Sequence, residues 1–367
     1  MNRTADDPNT AGHTERFDHY MERCLYGPSG FYATVGSAGR RGDFITSPEV
    51  GPLFGTVLSR AITRWWIDAG RPEPFTVVDA GCGPGTLLRA VKKAVEADGD
   101  TRRWRFVGVD RAPDDETKAA LAGTGIELDV DMPDDLSGSV VIGNEILDNM
   151  AIRILVTGPH PELHHEVFVT TESGEASTVT ELLRPIDGAD PPTLTTLAGI
   201  EAGSRVPIHH RAAHWVARVL AAKPIALCLF DYGAPTTAEL VRRGGWLRTY
   251  RRHERGEDPY REPGRWDITT DVGFDQLPVP TWLGRQGRFL TGWGLAELVE
   301  EGRRYWSEHA HAPDLTAVLM RSRLTEAPAL TEPDGLGNWM TALWLDEVVT
   351  TAVPAVGESP DLLGGRP

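Results

Sequence analysis

Apolar residues recur in two rhythms between residues 17 and 349, and the two rhythms predict an alternation of helices and strands. Phe17, Tyr20, Met21, Cys24 and Leu25 fall three or four apart, the spacing of one helix face. A glycine-rich stretch from Gly27 to Gly42 follows, and Val50, Leu53, Phe54, Val57, Leu58, Ile62 and Trp65 then resume the helical rhythm. Ser47-Pro48-Glu49 opens that helix, with Ser47 as the expected N-cap, proline at the first position and an acid in the first turn. From Phe75 the pattern changes. Short apolar runs at Phe75 to Asp79, Trp104 to Val109, Ile126 to Val130 and Ser139 to Gly143 alternate with helical stretches at Thr86 to Ala97 and Asp114 to Leu121. Such alternation predicts an α/β protein: a doubly wound, mostly parallel sheet with helices on both faces.

Residues 151–208 read differently. Ile152 to Val156, His164 to Thr171 and Ser177 to Leu183 alternate polar and apolar positions, as antiparallel hairpins do, and Pro185 to Pro192 predicts a loop. A helix from His209 to Ala222 leads back to a core strand, Ile225 to Phe230. Residues 236–292 show little periodicity, Thr291 to Glu301 is helical, and Thr316 to Arg323 reads as a last strand. These rhythms divide the chain into a loose tail (1–16), an N-terminal helical segment (17–72) and the first part of a core (73–150). An inserted α+β lobe (151–215), the remainder of the core (216–349) and a second tail (350–367) complete it.

Composition narrows the picture. The 367 residues are 40% hydrophobic and 25% charged, ordinary for a chain able to bury a core. A formal charge of −16 disfavours nucleic acid and anionic membranes and favours a cationic partner, although an acidic surface also serves solubility. Cys24, Cys82 and Cys228 form no C-x-x-C pair, which argues against a disulfide scaffold and a zinc site. The polar start has neither the apolar core of a secretory signal nor the acid-poor composition of a transit peptide, and no run approaches the length of a membrane span. These features predict a cytoplasmic protein.

The chemistry concentrates at strand exits. Val77-Val78-Asp79-Ala80-Gly81-Cys82-Gly83-Pro84-Gly85-Thr86 is an apolar strand breaking into alternate glycines, which lets bare backbone approach a nucleoside-type ligand. A dinucleotide fingerprint, G-x-G-x-x-G, would place its third glycine at Thr86 rather than Gly85. The observed rhythm instead resembles motif I of class I S-adenosyl-L-methionine methyltransferases, with Asp79, Gly81, Gly83, Gly85 and Thr86 at the cofactor's amino-acid end. Asp110 ends the next strand, where a carboxylate would grip ribose hydroxyls. Asn144-Glu145-Ile146-Leu147-Asp148 begins at the exit of the fourth strand, and one helical turn there would place Glu145 and Asp148 on one face. Two acids beside a sulfonium cofactor suit a cationic acceptor or a nitrogen that must lose a proton; capping a helix is the plainer alternative. His209-His210-x-x-x-His214 has an i,i+4 pair but no clear third ligand, so it reads as a histidine-rich helix end and no metal is expected. The basic run Arg242 to Arg255 reads as salt bridges and substrate contacts.

Longer strings extend the resemblance. Tyr20-Met21 through Tyr26 with Gly30-Phe31-Tyr32, then Gly42-Asp43-Phe44-Ile45-Thr46-Ser47-Pro48-Glu49, then Asp79 to Leu87, precede Asn144-Glu145-x-x-Asp148 and Asp231-Tyr232-Gly233. Leu247-Arg248-x-Tyr250, Pro263-Gly264-x-x-Asp267-Ile268-Thr269, Val272-x-Phe274 and Gln286-Gly287-x-Phe289-Leu290 follow. Over about residues 17–325 the chain resembles the MidA family of S-adenosyl-L-methionine-dependent methyltransferases, whose mitochondrial members are complex I assembly factors with protein-arginine methyltransferase activity. By local rules Gly42 to Glu49 is only a loop and a cap. The resemblance implies instead that Gly42, Asp43, Thr46, Ser47, Pro48 and Glu49 border the cofactor, and that Asn144, Glu145 and Asp148 lie beside the transferred methyl as catalytic residues. The family continues N-E-x-x-D with Ala-Leu-Pro-Val, whereas this chain has Asn149-Met150-Ala151-Ile152; a family Trp-x-Glu element is here His164-His165-Glu166.

The function expected is therefore methyl transfer from S-adenosyl-L-methionine to an arginine guanidinium of a protein. A cofactor-binding assembly factor with little turnover, or a methyltransferase acting on a small molecule or peptide, stand as alternatives. Neither nucleic acid nor membrane is expected as a partner.

Overall fold

β-Branched and aromatic runs bounded by glycine or aspartate form the strands of a seven-stranded sheet in the computed structural model. The model describes residues 13–34, 46–98, 104–172, 178–186, 191–251, 254–256, 258–351 and 353–354. The chain divides into two compact units.

The larger unit comprises 44–147, 215–235 and 278–367. Its strands are β1 (Phe75–Ala80), β2 (Trp104–Val109), β3 (Glu127–Asp129), β4 (Ser139–Asn144), β5 (Ala226–Asp231), β6 (Trp282–Arg285) and β7 (Met340–Leu345), in the order β6-β7-β5-β4-β1-β2-β3. β1 pairs in parallel with β2 and β4, β4 with β5, and β2 with β3; β7 runs antiparallel to both neighbours. Buried on one side of the sheet, Val77, Val140, Ile142, Cys228 and Phe230 share a core with Phe54, Val57, Leu58 and Trp65 and with Leu88 and Val91. Those packing partners come from the helices Pro52–Asp68 and Thr86–Asp98. Ala226–Asp231, apolar up to its terminal aspartate, is buried at every residue.

The smaller unit comprises 1–43, 148–214 and 236–277. His165–Glu172 pairs along its whole length with Thr178–Pro185 and shares its other edge between His13–Arg16 and Arg153–Val156; Arg205–Ile208 adds to the latter. Leu247–Arg251 sits between Glu254–Gly256 and Asp267–Thr270 in a second antiparallel sheet. The helix Phe17–Tyr26 buries Phe17, Tyr20, Met21, Cys24 and Leu25, the face its spacing predicts.

Several expectations are corrected. His13–Arg16, placed by sequence in a loose tail, is a strand because the alternating edge of 165–172 pairs with it. The expected helix from Ser47 is two helices, Ser47–Val50 and Pro52–Asp68, broken at Gly51. The proline-rich loop ends in a helix, Pro191–Leu197. The expected last strand, Thr316 to Arg323, lies inside the helix Leu315–Thr331, whose N-cap Asp314 accepts the Ala317 amide at 2.7 Å. Its apolar run is not buried: Leu315, Val318 and Leu319 are exposed, and Ala317, Ala327 and Leu330 face inward. The last strand is β7.

Phe230 is fully buried at the centre of this core, edge-on to Phe54 at 5.0 Å and to Phe289 at 5.2 Å between ring centroids. Truncating it should leave a cavity the sheet cannot close. Phe230→Ala is expected to cost about 3–5 kcal/mol of unfolding free energy, measured by urea titration.

Candidate active site

Strand β1 ends at Asp79-Ala80, and the chain turns through Gly81, Gly83 and Gly85 at φ of +70°, +48° and +71°. Side chains rarely adopt these angles, and a Cβ on Gly85 would also lie 2.3 Å from Leu121 Cδ2. The loop is pinned to the neighbouring strand: the amides of Gly81 and Cys82 both donate to the Val109 carbonyl at 2.8 and 3.0 Å. The helix Thr86–Asp98 starts directly beyond.

Asp79 is buried. One carboxylate oxygen takes the Leu88 amide; Oδ2 has no hydrogen-bond partner. Burial, and then the nearby charge of Asp110, push this carboxyl up to about 8. Asp110, also buried, accepts the Gly83 amide at Oδ2 (3.1 Å) and the Ala112 amide at Oδ1 (3.0 Å). It therefore braces the glycine loop against the end of β2, a role that sequence spacing did not indicate.

At the exit of β4, Asn144 donates from Nδ2 to Glu145 Oε1 at 2.8 Å, while its buried Oδ1 has no partner. Glu145 sits at φ +53°, a left-handed conformation uncommon outside glycine, with its amide donating to the Phe230 carbonyl at 2.8 Å. The expected helical turn is absent. Residues 145–150 form bends and a turn, because Asp231, fully buried at the end of β5, accepts the Leu147 amide at Oδ2 (2.9 Å) and the Tyr232 amide at Oδ1 (3.0 Å). Glu145 and Asp148 thus do not share a helix face; the first belongs to the larger unit and the second opens a segment of the smaller one. Asp148 is buried, and its carbonyl accepts the Thr270 amide at 3.0 Å.

Of the segment 42–49, Gly42 and Asp43 lie outside the described residues. Thr46, not Ser47, is the N-cap of Ser47–Val50: its side chain takes the Glu49 amide, and the Glu49 carboxylate takes the Thr46 amide at 3.0 Å, a reciprocal capping box with Pro48 in the first turn. Ser47 is fully buried and donates to Gln286 Oε1 at 2.9 Å. The break after this helix has a specific cause. Glu326, buried on the C-terminal helix, accepts the Leu53 amide at 2.8 Å, and a Cβ on Gly51 (φ +157°) would lie 2.2 to 2.5 Å from its carboxyl atoms. Only glycine lets that carboxylate through to cap Pro52–Asp68.

The remaining candidates resolve into structural roles. His209 is buried and His210 stands 3.3 Å from Asp18, whereas His214 is exposed. Among the described residues no cluster of three or more His, Cys, Asp or Glu could hold a metal ion. In the basic run, Arg243 and Arg248 both pair with buried Asp271, and Arg251 with Glu262 at 2.8 Å. Glu166 holds Arg153 through two contacts of 2.6 and 3.0 Å.

With this geometry established, the sequence relationships become interpretable. Residues 57–285 match a family described as "Putative S-adenosyl-L-methionine-dependent methyltransferase". The chain belongs to this family, and its cofactor is S-adenosyl-L-methionine. It is 26% identical over 293 residues to the mitochondrial protein arginine methyltransferase NDUFAF7 homolog of Drosophila melanogaster, covering 70% of this chain and 64% of that protein. The mitochondrial protein arginine methyltransferase NDUFAF7 of Xenopus laevis is 27% identical over 279 residues, with the same coverage. The chain thus spans somewhat under two thirds of the length of these relatives. A Burkholderia thailandensis protein described as a "COG1565 superfamily member and likely methyl transferase", solved bound to S-adenosyl-homocysteine, superposes with a TM-score of 0.76 at 25% identity, covering 93% of this chain and 89% of that one. The expectation of a cytoplasmic protein is overturned: the named relatives are mitochondrial proteins.

Two measurements follow. An acid raised to about 8 binds its proton more tightly in the folded state than in the unfolded chain, where its ordinary value is 3.8. Its contribution to stability therefore falls as pH rises from about 4 to about 8. Thermal unfolding of cofactor-free protein across that range should show a steeper loss for wild type than for Asp79→Asn, which keeps an acceptor for Leu88. At the helix break, Glu326→Ala should cost about 1–3 kcal/mol by leaving the Leu53 amide unpaired. In urea titrations Gly51→Ala combined with Glu326→Ala should be less destabilised than the sum of the single variants, because the clash disappears with the carboxylate.

Proposed function

We propose that this chain transfers a methyl group from S-adenosyl-L-methionine to a guanidinium nitrogen of an arginine in a protein, and that the larger unit is the doubly wound arrangement of class I methyltransferases. The observation that carries the reading is Glu145: a carboxylate at the sheet's carboxyl edge, held in a left-handed backbone by Phe230 and oriented by Asn144. Backbone strain of this kind persists where the surrounding structure enforces it, and such positions cluster at functional sites.

The residues present fit the cofactor. Asp79 Oδ2 and Asn144 Oδ1 are buried acceptors without partners at the ends of adjacent paired strands. Oxygens so placed suit an ammonium group, whose charge would draw Asp79 back toward ionisation. Gly81, Gly83, Gly85 and Thr86 would pass close to its amino-acid end, Asp110 would take ribose hydroxyls, and Gly42, Asp43, Thr46, Ser47, Pro48 and Glu49 would border it. When bound, the cofactor supplies a methyl group already made electrophilic by its sulfonium.

Alignment and proton removal are then the tasks of this chain. A free guanidinium has a pKa above about 12, so no side chain deprotonates it beforehand. Glu145 would instead accept from its N–H groups, direct one nitrogen toward the methyl and take the proton as the new bond forms. The relatives named as protein arginine methyltransferases and the net charge of −16 support a cationic acceptor.

Glu145→Gln keeps an acceptor for Asn144 but loses the charge. It should bind S-adenosyl-homocysteine within about twofold of wild type by calorimetry and lose at least about a hundredfold in transfer of labelled methyl into lysate protein. Normal labelling by this variant would remove Glu145 from the mechanism.

A further inference from the structure

The helices Leu295–His309 and Leu315–Thr331 of the larger unit form a hairpin whose buried residues gather toward one end. Leu295, Leu298 and Gly302 are buried on the first helix, and Glu326, Ala327 and Leu330 on the second. Where the helices meet, a Cβ on Gly302 would lie 2.3 Å from the Met320 carbonyl oxygen, so the two backbones are in direct contact. Of the described residues from Arg303 to Thr325, only Ala317 is buried. Leu315, Val318 and Leu319 stand 84%, 53% and 42% exposed on the second helix. Three large apolar side chains thus share one outward face, at the i, i+3 and i+4 spacing of helical neighbours.

A surface helix ordinarily turns an apolar stripe to the core and polar residues outward. Leu315–Thr331 instead buries Ala317, Ala327 and Leu330 and also presents Leu315, Val318 and Leu319 to water. A helix apolar on both sides has the composition of one covered on both. The charges beside the patch indicate what covers it. Asp314 and Arg321 are seven residues apart, about two turns, and so fall on the same flank of the face, one before Val318 and one after it. With a rise of about 1.5 Å per residue, Asp314 lies about 6 Å before Val318 along the axis and Arg321 about 4.5 Å after it. An identical helix laid antiparallel, with the two-fold axis at Val318, brings its Arg321 beside Asp314 and its Asp314 beside Arg321. Both side chains are exposed. Asp314 accepts the Ala317 amide of its own helix at Oδ1, and the Arg321 guanidinium lies 4.6 Å from the centre of the Trp306 ring. The first contact anchors the acid and the second the base, each at a rim of the patch.

We propose that this outward face pairs with the same face of a second copy of the chain, antiparallel and two-fold, with Leu315, Val318 and Leu319 at its centre and Asp314–Arg321 pairs at its rims. The inference stands apart from the transferase reading, because it uses no residue assigned to the cofactor or to the acceptor. Net charge adds to the argument. Copies carrying −16 each repel one another over most approaches, so self-association favours a face that brings its own arginine to each opposing acid.

Sedimentation velocity of the full chain from about 1 to about 100 μM tests the pairing. Wild type should sediment as a dimer at the upper end of that range. Val318→Glu, at an exposed position on the two-fold axis, sets two like charges against each other. It should stay monomeric throughout, with an unchanged far-ultraviolet circular dichroism spectrum. Asp314→Arg and Arg321→Asp each turn both rim pairs into like-charge contacts, and each should weaken the dimer by about tenfold or more. An equimolar mixture of these two variants has opposite charges at both rims of the mixed pair and should regain the wild-type dimer. The helix cap lost in Asp314→Arg stays lost in that mixture, so recovery reports the pairing and not helix stability. A wild type monomeric at every concentration would overturn the proposal, as would a dimer that Val318→Glu leaves intact. A mixture no more associated than its components would overturn the antiparallel arrangement and the proposed pairing with it.

Discussion

Three parallel strands of the larger unit end at a buried aspartate whose carboxylate holds backbone amides at its own or a neighbouring strand's exit. Asp79 takes the amide of Leu88, Asp110 those of Gly83 and Ala112, and Asp231 those of Leu147 and Tyr232. The carboxyl edge of a parallel sheet is where chains must turn and where backbone amides lose their strand partners. A carboxylate at each exit satisfies those amides within the protein and fixes each loop in one conformation. The arrangement concentrates negative charge in a water-poor layer, which is why Asp79, facing Asp110, is hard to ionise without a cation present.

The same bracing explains Glu145. Two residues upstream, Gly143 leaves room where a Cβ would meet Ile146 and Leu229 at 3.0 Å, and Asp231 anchors Leu147 two residues downstream. Between these fixed points the chain makes no helical turn, and Glu145 sits at positive φ. The carboxylate's direction is therefore a consequence of packing around it, with Asn144 setting the last rotatable bonds.

Residues far apart in sequence hold the segment that precedes the first core helix. Gln286 receives the Ser47 hydroxyl, and Glu326 passes over Gly51 to cap Leu53. A carboxylate on one helix thus completes the N-terminus of another, in place of the local cap that Gly51 cannot provide. This arrangement makes the C-terminal helices part of what shapes residues 46–53, although nothing in their own sequence announces it.

Much of the chain was legible from local pattern. The strands from Phe75 to Asn144, the intervening helices and the alternate glycines follow from β-branched runs, helical spacing and the steric cost of a Cβ at positive φ, all properties of neighbouring residues. Helix Leu315–Thr331 was misread because Val318-Leu319-Met320 has the composition of a strand and is largely left unburied, so hydrophobic rhythm carried no information there. The strand His13–Arg16 was missed because its polar residues form an edge only once 165–172 offers one. The tertiary structure alone decided that Asp231 fixes the turn after Glu145, that Glu326 requires glycine at 51, and that Tyr32 and Asn149 meet Asp267. Each of these joins residues between 84 and 275 positions apart, and no local propensity encodes which distant carboxylate will arrive beside a given amide or phenol.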